Sequence, residues 1–215
     1  MELDRRHLIG AAAAAAAAGC LAAMAPRTLI PATGSPVVHA PVPAVVKRAE
    51  PPSLLRQATA ALDRHGIAKR DLVGLVDFSA HSSKPRLQLV DIVGGAILGA
   101  YLVAHGKGSD PENTGWLHSF SNEEGSNASS RGGFRTAAAY YGKHGHSRRL
   151  VGLDADNDQA LSRAIVMHGA PYVQHELIDR QGHIGRSQGC FAVAESCIGA
   201  VLDRLGEGRL LFAAK

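Results

Sequence analysis

At 215 residues with 46% hydrophobic content, the chain can hold one domain with its own core plus targeting material. The formal charge of +4 is modest and the basic residues are scattered without interleaved aromatics, which argues against a nucleic-acid partner. Twenty-four glycines and only 5% aromatics point to a fold with many turns.

Residues 1–25 read as an export signal: Arg5-Arg6, an apolar stretch from Leu8 to Ala25 holding eight consecutive alanines, and Ala23-Met24-Ala25 as a small-x-small cleavage site. Arg5-Arg6-His7-Leu8-Ile9 is similar to a twin-arginine signal. Two alternatives stay open, retention of the stretch as a membrane anchor and lipidation at Cys20 behind Ala17-Ala18-Gly19. In either case an uncleaved or lipidated leader is the only expected link to a membrane. Residues 26–51 are proline-rich and lack periodicity, as in an extended linker. The folded domain is expected over 52–215, exported to the periplasm or cell envelope.

Pro52-Ser53 followed by Leu54, Leu55, Ala58, Ala61 and Leu62 predicts a capped helix ending at His65-Gly66. Strand patterns follow over 72–78 and 86–90, with the Ser82-Ser83-Lys84-Pro85 turn between them, and over 97–104. Further strands are predicted over 135–141, 149–153 and 164–167, and 210–213 closes the series. Residues 194–205 carry helical spacing, with Cys197, Ile198, Val201 and Leu205 on one apolar face. Many short strands with Gly-rich turns predict a mainly β fold, a mixed β-sandwich or barrel-like sheet with peripheral helices.

The chemistry points to His168-Gly169 and Gly185-Arg186-Ser187-Gln188-Gly189-Cys190, which place a histidine after an apolar run and a cysteine 22 positions later in a small-residue turn. A thiol nucleophile needs a base from elsewhere in the fold, so the pair suggests acyl transfer through a thioester. Gly189 permits close backbone approach, and amides on such a turn could face a developing oxyanion. His168 at a strand end is where a base is held rigidly yet faces a cleft, and as an imidazolium it would lower the thiol pKa. An alternative Cys190–Cys197 disulfide is opposed by the helical placement of Cys197. His144-Gly-His146 is the one close histidine pair, without an H-E-x-x-H or C-x-x-C companion, so no metal is expected.

These residues, together with His105-Gly-Lys-Gly-Ser-Asp, Ser121-Asn, Gly125-Ser-Asn and 129–136, resemble the L,D-transpeptidase (YkuD-type) catalytic domain. The match is to its divergent branch of murein L,D-transpeptidase catalytic domain proteins and covers roughly residues 70–215. The resemblance implies a mixed-β architecture, peptidoglycan stem peptides as substrates, no cofactor, and susceptibility to carbapenems and other β-lactams. It implies Cys190 as nucleophile, His168 as base, and Ser187 or a backbone carbonyl orienting the imidazole. Gly169, His105 and Lys107 would line the cleft. The commoner signature has His before the Gly-Cys pair and Arg two residues after the Cys, where this chain has Gln188 and Ala192. Arg186 is the nearest cation to replace that arginine as a carboxylate clamp. With water in place of the acceptor amine, the same site would be an L,D-carboxypeptidase. Loss of turnover would leave a peptidoglycan-binding module, and a zinc peptidase is a third class.

Overall fold

The computed structural model describes residues 52–215, so the leader, Cys20 and the proline-rich linker lie outside the described residues. Helix α1 (Pro52–Arg64) ends at Gly66, whose φ of +58° is the left-handed conformation that terminates helices. Strands β1 (Leu72–Asp77), β2 (Leu87–Asp91) and β3 (Ile97–Tyr101) form a meander. Strands β4 (Gly132–Gly142) and β5 (Gly145–Gly152) form a long hairpin, followed by β6 (Val166–Ala170). After helix α2 (His175–Gln181) come β7 (Phe191–Ala194), α3 (Glu195–Leu205) and β8 (Leu210–Ala214).

One eight-stranded mixed sheet results, in the order β3-β2-β1-β8-β4-β5-β6-β7. Only β1–β8 and β6–β7 are parallel pairs. The sheet's two edges meet, because Ala104, just past β3, bridges to Ala192 in β7 through a 2.8 Å Ala104 N–H to Ala192 O bond. That contact removes an open edge and gives the sheet its barrel-like curl. The fold is therefore mainly β, as the strand pattern predicts. The pattern missed β7, whose four residues are too few to show periodicity, and α2, which buries no residue that would mark an apolar face.

Two apolar layers fix the sheet. On one face Leu54, Ala58, Ala61 and Leu62 of α1 pack against Val73, Leu75, Leu210 and Phe212. Elsewhere α3 buries Ile198, Val201, Leu202 and Leu205 in a cluster that runs through Phe134, Met167 and Phe191. Phe191 stacks on Phe78 at 6.1 Å and meets Phe134 edge-on at 5.2 Å, so the residue directly after Cys190 is locked in the core. Leu62 is fully buried, and Leu62→Ala should cost about 2–5 kcal/mol in a urea unfolding titration if α1 is an integral layer. A change below the error of the extrapolation would mean that α1 adds little to the core.

Candidate active site

Strands β6 and β7 run in parallel with Met167 opposite Phe191 and His168 opposite Ala192, so the start of β6 and the turn entering β7 lie side by side, and His168 sits in mid-strand instead of at the strand end expected from the sequence. That register brings His168 and Cys190 to one cleft of about 620 Å³, also lined by Lys143, His144, Arg163, Tyr172 and Arg186. His168 is buried, and its Nδ1 lies 2.8 Å from the Gly169 carbonyl. A carbonyl only accepts, so Nδ1 carries the proton and Nε2 keeps its lone pair, with no hydrogen-bond partner among the described residues. The ring is stacked on His144 from the β4–β5 turn, with centroids 4.4 Å apart.

The turn that carries Cys190 is built from Ser187. Its hydroxyl donates to the Cys190 carbonyl at 2.7 Å and accepts from the Gly189 N–H at 3.1 Å. Ser187 therefore staples the turn, and the orienting contact to the imidazole comes from Gly169. Gly189 has φ +109°, and a Cβ there would stand 2.7 Å from the Ala128 carbonyl, so both conformation and space require glycine. Its N–H is engaged by Ser187, which leaves the Gln188 and Cys190 N–H groups as turn amides with no partner among the described residues.

Cys190 and Cys197 are both free thiols and both half-buried. Cys197 lines a smaller surface cleft beside His175 and Glu176 instead of entering the core. At Cys190, burial pushes the thiol pKa up, against the Val166 amide, Lys143 and Arg163, which pull it down. At His168, burial pushes the pKa down; His144 and Lys143 add to this, and the Gly169 bond opposes it. Both shifts favour a neutral thiol beside a neutral imidazole, whereas the imidazolium expected from the sequence would have made a thiolate.

Other site residues expected from the sequence take different places. Arg186 lines the cleft and donates from Nη1 to the Asp110 carbonyl. Gly169 packs on α3, where an added Cβ would meet Ile198 at 3.1 Å. Lys107 is exposed, outside the cleft lining. His105 is 1% exposed, with its ring between Arg86 and Asp110. Arg163 carried no sequence signal, yet its guanidinium binds the carbonyls of Ser121 and Ala128 and the Ser130 hydroxyl, tying the 121–130 loop to the cleft. Lys143 and His144 lie at a hairpin tip that reaches the site only through tertiary packing. Tyr172 is also new; burial and the neighbouring Cys190 push its pKa up to about 12, so the phenol keeps its proton.

A model of the L,D-transpeptidase catalytic domain matches residues 49–214. The chain belongs to the L,D-transpeptidase family. Among solved structures, an L,D-transpeptidase from Mycobacterium smegmatis is 13% identical, with a TM-score of 0.41 over 67% of this chain and 59% of its own. The L,D-transpeptidase of Xylanimonas cellulosilytica is 16% identical, with a TM-score of 0.41 over 74% of this chain and 69% of its own. L,D-transpeptidase 3 of Mycobacterium tuberculosis, solved with a faropenem-derived adduct, is 9% identical, with a TM-score of 0.41 over 67% of this chain and 60% of its own. The chain thus spans about three fifths of the length of the first of these. No curated protein matches the sequence.

In this L,D-transpeptidase domain the buried titratable groups share one acid response. Burial, aided by Arg86, pushes His105 down to about 4 from an ordinary 6.5. Burial raises Asp110, but hydrogen bonds from Thr114, Gly115 and His105 outweigh it and hold the carboxyl at about 2. For both groups the unfolded chain binds more protons than the folded one below the ordinary pKa, so acid favours unfolding. Urea midpoints should therefore be level above about pH 6.5, fall between pH 6.5 and 4 as His105 protonates, and fall again below pH 4. A midpoint unchanged from pH 7 to 4 would show that His105 is not held neutral.

Proposed function

We propose that the protein is an exported cysteine acyltransferase of the L,D-transpeptidase type, acting on peptidoglycan stem peptides. Family membership supports the substrate class, and the observation that carries the chemistry is the Gly169-fixed tautomer of His168, which presents an unprotonated Nε2 in the cleft that holds the Cys190 thiol. The roles below follow from that arrangement.

Cys190 Sγ attacks the carbonyl of the L-centred residue of a stem peptide while its proton passes to His168 Nε2. The carbonyl oxygen becomes an oxyanion, met by the Cys190 N–H and by whichever other donor the bound substrate brings into range. Collapse breaks the C–N bond, the imidazolium returns its proton to the leaving amine, and the terminal D-amino acid departs. The acyl group remains as a thioester on Cys190. His168 then takes a proton from the acceptor amine, the new amide C–N bond forms, and the C–S bond breaks to restore the thiol. Water in place of the amine gives the carboxypeptidase outcome from the same intermediate. Arg186, which lines the cleft with Nη1 bonded to the Asp110 carbonyl, would meet the substrate carboxylate with its remaining N–H groups.

Incubation with a disaccharide tetrapeptide, followed by intact-mass and peptide mapping, should find an acyl adduct on Cys190 that an amine acceptor discharges. Cys190→Ala should abolish the adduct without loss of fold, and His168→Ala should slow its formation about 10²–10⁴-fold. The same adduct formed at wild-type rate in His168→Ala would remove the base from its role. Because the resting pair is neutral, alkylation of Cys190 by iodoacetamide should have its pH midpoint above that of a free cysteine, and a midpoint below it would mean a preformed ion pair. Arg186→Lys keeps the charge but loses the planar fork, so tetrapeptide use should fall while alkylation stays unchanged. Equal tetrapeptide kinetics would move the carboxylate contact to another cation, Lys143 foremost.

A further inference from the structure

The buried groups beside the cleft, outside the proposed chemistry, form a chain with a fixed direction. Arg86 is 1% exposed, although it carries a guanidinium. Its Nε donates to Val103 O at 2.9 Å, Nη1 to Ala80 O at 3.1 Å and Nη2 to His105 Nδ1 at 2.6 Å. Arginine has no acceptor, so His105 Nδ1 must be the lone-pair nitrogen and Nε2 must carry the proton. That N–H points to Asp110 Oδ2 at 3.2 Å. Asp110, fully buried, also accepts from Thr114 N and Thr114 Oγ1 on one oxygen and from Gly115 N on the other. Three further charged or titratable groups face this chain: Asp77 from the end of β1, Arg186 from the nucleophile turn, and His118, 3.8 Å from Asp110.

The chain ends on the nucleophile. The His105 carbonyl accepts from Ser187 N at 2.8 Å, and Lys107 N donates back to Ser187 O at 2.8 Å. Ser187 in turn holds Gly189 and Cys190 through its hydroxyl. A Cβ on Gly106 would fall 2.9 Å from Gly189 Cα, so the two segments touch backbone to backbone. Asp110 adds a second strap through Arg186. Arg86 and Asp110 thus anchor, through its ring, the residue whose own carbonyl fixes Ser187.

We propose that His105 is a positioning residue for Cys190, and that the directional chain Arg86 to His105 to Asp110 sets the place of the nucleophile turn. The proposal rests on the transpeptidase reading for its kinetic consequence, though not for its geometry. A fold-stabilising role alone would require only that the cavity be filled. A positioning role requires that position 105 accept from Arg86 and donate to Asp110. Glutamine can do both through its carbonyl and amide, whereas leucine fills the space and does neither.

The test uses the full chain as wild type, His105→Gln, His105→Leu and Asp110→Asn, with thermal melts to establish folding. Acylation of Cys190 is followed by mass against imipenem concentration, to separate the maximal rate from the half-saturating concentration. His105→Leu should lower the maximal rate about 10²-fold with little change in half-saturation, and His105→Gln should recover it to within about fivefold. If the leucine variant does not fold, Asp110→Asn decides through its amide: its single oxygen cannot serve both the His105–Gly115 side and the Thr114 side that the two Asp110 oxygens serve, so one end of the chain is lost and maximal rate should fall. Folded leucine or asparagine variants at wild-type maximal rate would overturn the proposal, as would a folded glutamine variant no better than leucine. If imipenem does not acylate wild type, that probe gives the transpeptidase reading no support, and the series is read on Cys190 alkylation mapped by peptide mass. There His105→Leu should move the pH midpoint toward that of a free cysteine and His105→Gln should not; identical midpoints in all variants would overturn the proposal.

Discussion

The place of Cys190 depends on hydrogen bonds made by backbone groups and serine hydroxyls between segments far apart in sequence. Residues 105–107 bond to Ser187 on both its N–H and its carbonyl, Gly106 N donates to Ser129 Oγ, and Ser109 Oγ accepts from Ser129 N. Three loops thus meet at contacts so close that side chains are excluded. An added Cβ would lie 2.3 Å from the Asn127 carbonyl at Gly106 and 1.9 Å from the Ser126 carbonyl at Gly108. Glycine is needed here for close approach, since bulk at either position would push the 126–129 wall off the turn that carries Cys190.

This explains which parts of the site were legible from sequence. Cys190, Gly189 and His168 lie in short local patterns, a glycine before a thiol and a histidine after an apolar run, and local chemistry sets their conformation. The residues around them do not share that property. Arg163 reaches the 121–130 loop across more than thirty residues, and Arg86 meets His105 only once β2 and the segment after β3 are paired. His105 illustrates the limit: the strand predicted to run up to it stops at Tyr101, and the inward turn of its ring depends on a buried guanidinium that no spacing rule connects to it. Ser187 is similar, since either an orienting or a turn-forming role fits its place in the motif, and only the bonds to Gly189 and Cys190 choose between them.

The fold follows the same division. Strands with clear β patterning, such as Leu72–Asp77 and Leu210–Ala214, form where the sequence predicts them. Phe191–Ala194 is short, with three of its four residues buried, and its neighbours Val166–Ala170 and Ala104 supply the partners that make it a strand. Helix α2 buries none of its residues, so no apolar stripe marks it. Cys197 had the helical spacing of a core residue but sits at the edge of that face, half-buried over a surface cleft.

The two departures from the commoner motif acquire a physical meaning from this frame. Ala192 is fully buried beside Ala104, Ala170 and Ile184, where the sheet's edges close on each other. An arginine there would have to open that closure, so the carboxylate contact of the proposed function would fall to the cleft's own cations, Arg163, Arg186 and Lys143. Of these, Arg163 spends both terminal nitrogens on the 121–130 loop, and Arg186 spends one on Asp110. Lys143, on the exposed hairpin tip, makes no ion pair among the described residues. With the resting thiol and imidazole both neutral, these cations have little negative charge to meet until a substrate carboxylate arrives or a thiolate and oxyanion develop. Under the proposed transpeptidase chemistry their electrostatic contribution would be greatest in the acylation step, where differential stabilisation accelerates a reaction.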